Sequence, residues 1–361
     1  MSRKITFASA LMGLLFLSGC SMYGPKDVSS NQIDPPPLTS QPAGSEKVTT
    51  DGQPVTDTFT DPSSVTGAKE SAAASTIVSK IYAVDPDGYV VPWEVELPKK
   101  TGVAKEVLTC MVQGSEGEKM LPTGFHAVLP PGTKVKSLNI KNGVATVDFS
   151  PEFKKYKPEN EQKIIDAVTW ALTEFDSIKE VNIQINGYPQ DVMPVKGTPI
   201  SHLSRKNGIN LEMASNVKIG HTMPVTLYFQ GQLGDKGTYF VPVTRLVPDD
   251  QSNKADVVLK ELVHGPTQGS PLFSSILPTV NVLNVKENNG VIVANLDNKI
   301  LSYSDKQANP DALEEIVLSL TENTNAKKVQ IMVDGKSTVK TGKVDYSKPV
   351  SRPSTINSKL Y

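Results

Sequence analysis

The sequence predicts an α+β fold built twice over: two tandem repeats, each a two-layer sandwich of a mixed or antiparallel sheet with two helices. Three observations lead there. Leu172-Thr173-Glu174 returns as Leu320-Thr321-Glu322, and Val181 to Gly187 returns as Val329 to Gly335, both at an offset of 148. Two copies of one supersecondary unit at a fixed offset mark a duplicated domain. Each copy also joins a helix-period run to a strand that alternates apolar and polar residues, so one sheet face needs cover and the other meets water. Finally, Asn142-Gly143 and Asn289-Gly290 each separate two such strands, the two-residue signal of a type I′ hairpin.

The chain has 361 residues, with Lys+Arg 37 against Asp+Glu 38. That balance offers no basic surface for nucleic acid. Two cysteines, Cys20 and Cys110, exclude a disulfide framework. Hydrophobic content of 38% beside 27 prolines points to an unfolded portion next to the folded repeats. At the amino terminus, Arg3 and Lys4 precede an apolar run from Ile5 to Leu17, too short to span a bilayer and of signal-peptide length. It ends in Leu17-Ser18-Gly19-Cys20, which resembles the lipobox of bacterial lipoprotein precursors. The resemblance implies that 1–19 is a cleaved signal peptide. It also implies that Cys20 carries a thioether lipid and an acyl chain such as palmitate, holding the chain to the outer face of the cell membrane. More than one chain is what stable anchoring requires. Residues 20–76 are rich in Ser, Thr, Pro and Gly, have no periodicity, and read as a disordered tether.

The first repeat is expected over 77–200. Ile81 to Val84 and Tyr89 to Leu97 read as strands around the turn Asp85-Pro86-Asp87-Gly88. That turn lacks the remaining ligands of a calcium loop. Val103, Val107, Cys110 and Met111 mark an amphipathic helix, and Val135 to Lys141 with Val144 to Phe149 form the first Asn-Gly hairpin. A second helix follows, with Asn160 as its N-cap and Ile164, Val168, Ala171, Leu172 and Phe175 on its apolar face. Residues 201–223 read as a linker. The same elements recur over 224–343, where Asn309 caps the second helix and Pro310 takes its first position. Residues 344–361 contain Pro and Ser without periodicity and read as a disordered tail. Each repeat has the length of an independent domain.

Motifs for chemistry are sparse. His126, His202, His221 and His264 lie far apart without helical pairing and read as surface residues. Ser337-Thr338-Val339-Lys340 and Lys340-Thr341-Gly342 imitate penicillin-binding motifs, but they share Lys340 and so cannot face each other across a cleft. Cys110 has Glu261 as its counterpart in the second repeat and no His placed to activate it. Glu94 and Glu96 on one strand face read as a solvated acidic pair rather than a glycosidase dyad. No catalytic residue, metal site or cofactor is expected.

Leu129-Pro130-Pro131-Gly132-Thr133 followed by Gly143-Val144-Ala145-Thr146-Val147-Asp148-Phe149-Ser150-Pro151 resembles the GerMN domain of sporulation and germination lipoproteins. Leu262-Val263-His264-Gly265-Pro266 resembles that family's helix-ending Gly-Pro. Repeat one has Gly114-Ser115 in place of Gly-Pro, and repeat two has Asn295-Leu296 in place of Asp148-Phe149. The resemblance implies a fold akin to ring-building motifs and a place between mother cell and forespore. It further implies partners in the channel that links them, and a helical face of one domain docking on a neighbour's sheet. A peptidoglycan-binding or peptidoglycan-processing envelope protein is the alternative. One consequence is testable from sequence alone. Cys20→Ala is expected to abolish incorporation of a fatty-acid probe into the chain, and equal labelling of the variant would refute the anchor.

Overall fold

The computed structural model describes residues 76–358, apart from 100–101, 215–216, 218–219, 250–251, 302–306, 338 and 342–343. The expected signal peptide, Cys20 and the tether up to residue 75 lie outside the described residues.

Repeat one runs β1 (Thr76–Val84), β2 (Val90–Pro98), α1 (Val103–Cys110), a short α2 (Glu116–Lys119), β3 (His126–Ala127), β4 (Val135–Lys141), β5 (Val144–Phe149), α3 (Glu161–Leu172), β6 (Glu180–Ile185) and β7 (Tyr188–Pro189). After β8 (Glu212–Met213), repeat two runs β9 (Thr222–Gln232), β10 (Thr238–Pro248), α4 (Lys254–His264), β11 (Val282–Asn288), β12 (Val291–Leu296), α5 (Pro310–Asn323) and β13 (Lys328–Val333). It closes with β14 (Lys340–Thr341), β15 (Val344–Asp345) and β16 (Val350–Ser351). The expected order of strands, helix, hairpin, helix and strand is present in both copies.

Local chemistry explains most of these elements. Asn142 and Gly143 take φ of 52° and 81°, and Asn289 and Gly290 take 50° and 74°. Both residues of a type I′ turn need positive φ, which Asn tolerates and Gly accepts without cost. Asn309 caps α5 by accepting from the Asp311 N–H, with Pro310 at the first helical position. Asn160 does not cap α3. It ends a 3-10 turn over Pro158–Asn160 in helical conformation, and a capping side chain needs an extended backbone to reach the first N–H groups.

In each repeat the helical crossover places the two central strands parallel, β5 beside β6 and β12 beside β13, within the orders β4-β5-β6-β7 and β11-β12-β13-β16. The alternation in β6 is as expected, with Val181, Ile183 and Ile185 buried against the helix side. The long hairpins β1–β2 and β9–β10, however, form sheets of their own. Val90 to Val95 of β2 are buried without alternation, so this strand needs cover on both faces. It finds that cover between α3 and the opposing strand β10 of the other repeat. The main apolar core therefore runs from Ile81 through Trp170 to Tyr346 across both repeats, with Tyr228, Leu318 and Ile356 forming a smaller second cluster.

The largest departures from expectation lie after each repeat's last long strand. The supposed linker packs inward: Leu203 bridges Val181, Ile209 is buried, and β8 adds to the β10 edge. The supposed disordered tail is ordered through residue 358, with Tyr346 and Ile356 buried and β16 paired antiparallel to β13. These segments are equivalent. Ser204-Arg205 and Ile209-Asn210 recur as Ser351-Arg352 and Ile356-Asn357 at an offset of 147. Asn210 accepts from the Val90 N–H and donates to the Val90 and Pro242 carbonyls. Asn357 accepts from the Phe240 N–H and donates to the Phe240 and Pro92 carbonyls. Each asparagine thus staples one hairpin to the other. Asn357→Ala removes three such bonds and orphans their buried partners. It is expected to cost about 2–4 kcal/mol in urea denaturation, and Asn210→Ala a similar amount; a loss below about 0.5 kcal/mol for both would show that the staples carry no stability.

Candidate functional site

The repeated Leu-Thr-Glu motif lies where the two repeats meet. Leu172 and Leu320 are fully buried at the ends of α3 and α5. Thr173 and Thr321 each donate back to a carbonyl one turn earlier, Thr169 and Val317, both at 2.7 Å. The same hydroxyls accept from arginines, Thr173 from Arg205 Nε at 3.1 Å and Thr321 from Arg352 Nη1 at 3.0 Å. The glutamates complete the arrangement. Glu174 binds Lys80 Nζ at 3.0 Å, the Tyr82 hydroxyl at 2.8 Å and Arg205 Nη2. Glu322 binds Arg205 Nη1 at 2.7 Å, Arg352 Nη2 at 2.9 Å and the Tyr228 hydroxyl at 3.1 Å. Arg205 lies 4.2 Å from the Trp170 ring centroid and Arg352 lies 5.0 Å from that of Tyr228, stacking a weakly hydrated cation on each aromatic face.

Arg205 is the one member of this cluster that touches both glutamates. The two arginines come from the segments that sequence reading took for linker and tail, so neither was expected here. The recurrence of Ser204-Arg205 as Ser351-Arg352, one residue off the main repeat offset, was the available signal.

The electrostatics describe a clamp. Burial alone raises the Glu174 carboxyl, but Arg205 and Lys80 outweigh it and hold the group at about 2. Glu322 is likewise lowered against its burial, by Arg205 and Arg352. Burial pushes Tyr82 and Tyr228 far above the ordinary phenol range. Carboxylates locked in the ionised form and phenols locked in the neutral form do not exchange protons near neutral pH, so the cluster positions segments and performs no acid–base work.

Other residues singled out in the sequence are dispersed. The four histidines are exposed on separate elements. Cys110 is buried in α1, and burial raises its thiol to about 11. Asp85 accepts from the Asp87 and Tyr89 N–H groups and from the Tyr239 hydroxyl, so its oxygens serve the turn and the partner repeat. Ser337 accepts from Gln330 in a loop, while Lys340 lies in β14. Glu94 corrects an expectation. It is buried rather than solvated and accepts from the Ile356 N–H, whereas Glu96 is exposed. A cleft of about 320 Å³ on the outer face of β5 and β6 is lined by Thr146, Asn182, Gln184, Gln190, Asp191 and His202.

The family described as Germane, "Sporulation and spore germination", matches residues 80–191 and 226–339. The chain belongs to the Germane family. The matched stretches contain both glutamates and both threonines of the clamp but stop short of its arginines, Arg205 and Arg352. The Germane chain is 38% identical over 360 residues to the spore germination protein GerM of Bacillus subtilis (strain 168), covering 97% of this chain and 96% of the relative. The solved tandem GerMN domains of the sporulation protein GerM from Bacillus subtilis are 40% identical, with a TM-score of 0.74. That match covers 79% of this chain and 99% of the solved one.

Two buried carboxylates of the second helices make an informative contrast. Burial opposes ionisation of Glu161, but the Thr198 hydroxyl, the Lys196 N–H and the Tyr156 hydroxyl bring it to about 2. Glu315 has only the Ser274 hydroxyl, the Ser275 N–H and the Gln230 amide, and burial raises it to about 7. The signs are opposite. Stability from Glu174 and Glu161 is present above the unfolded carboxylate value and lost as pH falls toward 2. Stability linked to Glu315 is full below that value and lost as pH rises through about 7. Between pH 5 and 8 the parent is therefore expected to lose roughly 2–3 kcal/mol that Glu315→Gln retains. Identical pH profiles for the two would refute this. Arg205→Met leaves two carboxylates without their shared cation and is expected to cost about 3–5 kcal/mol in urea denaturation at pH 7; a loss under about 1 kcal/mol would show that the bridge is dispensable.

Proposed function

We propose that the chain is a non-enzymatic, membrane-anchored assembly component of the envelope complex between mother cell and forespore. In this reading it is needed for sporulation and later for germination. Cys20 holds it to the membrane, the following residues give it reach, and the paired repeats act as one rigid body that other envelope proteins dock against. The observation that carries the reading is the Arg205 bridge. The polar cluster between the repeats spends its charges on holding them together. Family membership and the printed roles of the relatives in sporulation and germination support the setting.

The geometry redirects one expectation about how such docking occurs. Ten of the twelve residues of α3 are buried inside the chain, so its helical face is not free for a neighbour's sheet. The surfaces left are the outer sheet faces, with exposed Asn139 and Asn182 in repeat one and exposed Asn284 and Lys286 in repeat two. Single cysteines at Asn182 and Lys286 are expected to crosslink to envelope partners in sporulating cells. A cysteine at Lys119, away from those faces, serves as the background. Crosslinks from neither sheet face would sink the assembly reading, and stoichiometric retention of the chain on purified peptidoglycan would replace it with a wall-binding one.

A further inference from the structure

The contact between the repeats is reciprocal. The Ile209 N–H donates to Thr244 Oγ1 of repeat two, and the Ile356 N–H donates to Glu94 Oε1 of repeat one. Thr244 and Glu94 are equivalent, 150 residues apart. The asparagine staples obey the same rule, since Val90 and Phe240, and Pro92 and Pro242, are also 150 apart. Tyr89 of repeat one meets Ser270 of repeat two, while Tyr239 of repeat two meets Asp85 and Phe125 of repeat one. The backbone and asparagine contacts made in one direction are answered by their equivalents in the other, whereas the Arg205–Glu322 pair is made in one direction only, Arg352 staying on Glu322 of its own repeat. This is the signature of an isologous, twofold interface.

A twofold surface accepts a copy of itself when the positions that differ remain compatible. The chief difference is a cross-strand pair, Lys80 with Glu94 in the first hairpin and Thr226 with Thr244 in the second. Glu94 already accepts the Ile356 N–H, so it can accept the equivalent Ile209 N–H of another copy. Arg205 already grips Glu174, the counterpart of Glu322, so a second copy offers it the same carboxylate.

We infer that the pairing face of repeat one binds a second copy of repeat one, taken from another molecule of this chain, in the geometry now used by repeat two. In the intact chain this face is covered. The eleven-residue connection 211–221 holds repeat two at an effective concentration of order mM, so the internal partner prevails. The face becomes available only when the repeats part.

The test uses the whole chain with a protease site inserted between Gly220 and His221. The chain is cut while folded, and its two halves are expected to stay together. The cut protein is then unfolded in urea, returned to buffer with repeat one in excess, and read by native mass spectrometry. A repeat-one homodimer beside the re-formed heterodimer is expected. Heterodimer with the surplus repeat one left monomeric overturns the inference. A second measurement needs no refolded half. Thr226→Lys combined with Thr244→Glu in the uncut chain gives both hairpins the same interface residues, and its Tm is expected within about 5 °C of the parent. A fall of more than about 15 °C, or two separate transitions, shows that the face does not tolerate its own copy.

Discussion

A single guanidinium organises this molecule. Arg205 lies on Trp170, is oriented by Thr173, and shares its two faces of hydrogen-bond donors between Glu174 and Glu322. Two carboxylates half-withdrawn from water repel each other and lose hydration, so bringing the ends of α3 and α5 together is unfavourable without a cation between them. Arginine suits the position better than lysine because its planar fork serves two partners at fixed angles while its face rests on an indole. The Trp170 indole N–H in turn donates to the Gly208 carbonyl at 2.9 Å, fixing the return segment that carries Arg205. Helix ends, return segment and both repeats are thus mutually dependent.

Much of the fold was legible because it is written in periodicity. The duplication, the Asn-Gly turns, the α5 cap and the apolar helix faces all follow from spacing. What escaped reading is written in hydrogen bonds. Ser204 to Asn210 and Ser351 to Asn357 hold one buried apolar residue each, so they show no amphipathic signal, and their polar residues look like those of a solvated loop. Only their common offset betrays them. Glu94 escaped for a related reason. A charged residue in a strand reads as solvent-facing, yet here a carboxyl is buried because another segment supplies the N–H it needs. The splitting of each repeat into two sheets was visible only as the short apolar run Val90–Trp93 of β2, which pattern alone does not distinguish from an edge strand.

The repeats agree inside and differ outside. Tyr188, Val192 and Val195, all exposed, stand where repeat two has Lys336, Lys340 and Lys343, each at the offset of 148. Conversely, Leu283 is exposed on β11 where repeat one carries Lys136. The asparagine staples that pair the repeats are kept in both copies, whereas these positions exchange apolar groups for cations. Duplication has therefore left one shared scaffold that shows two chemically distinct outer surfaces. A twofold pair also closes on itself, so the internal contact cannot be propagated into a ring. Any larger assembly must use the surfaces that have diverged.

Asn357 completes the second hairpin staple, while its counterpart Asn210 is made 147 residues earlier. At ribosomal speeds of about 5–20 residues per second, that separation corresponds to roughly 7–30 s. Over that interval repeat one already holds Asn210 on Val90, but the Pro92 carbonyl and the Glu94 carboxylate await their donors from Asn357 and Ile356. Loss of the segment that carries Ile356 and Asn357 would leave those two acceptors without these donors. The pairing of the two hairpins is thus finished by residues made far later than most of the surface they join.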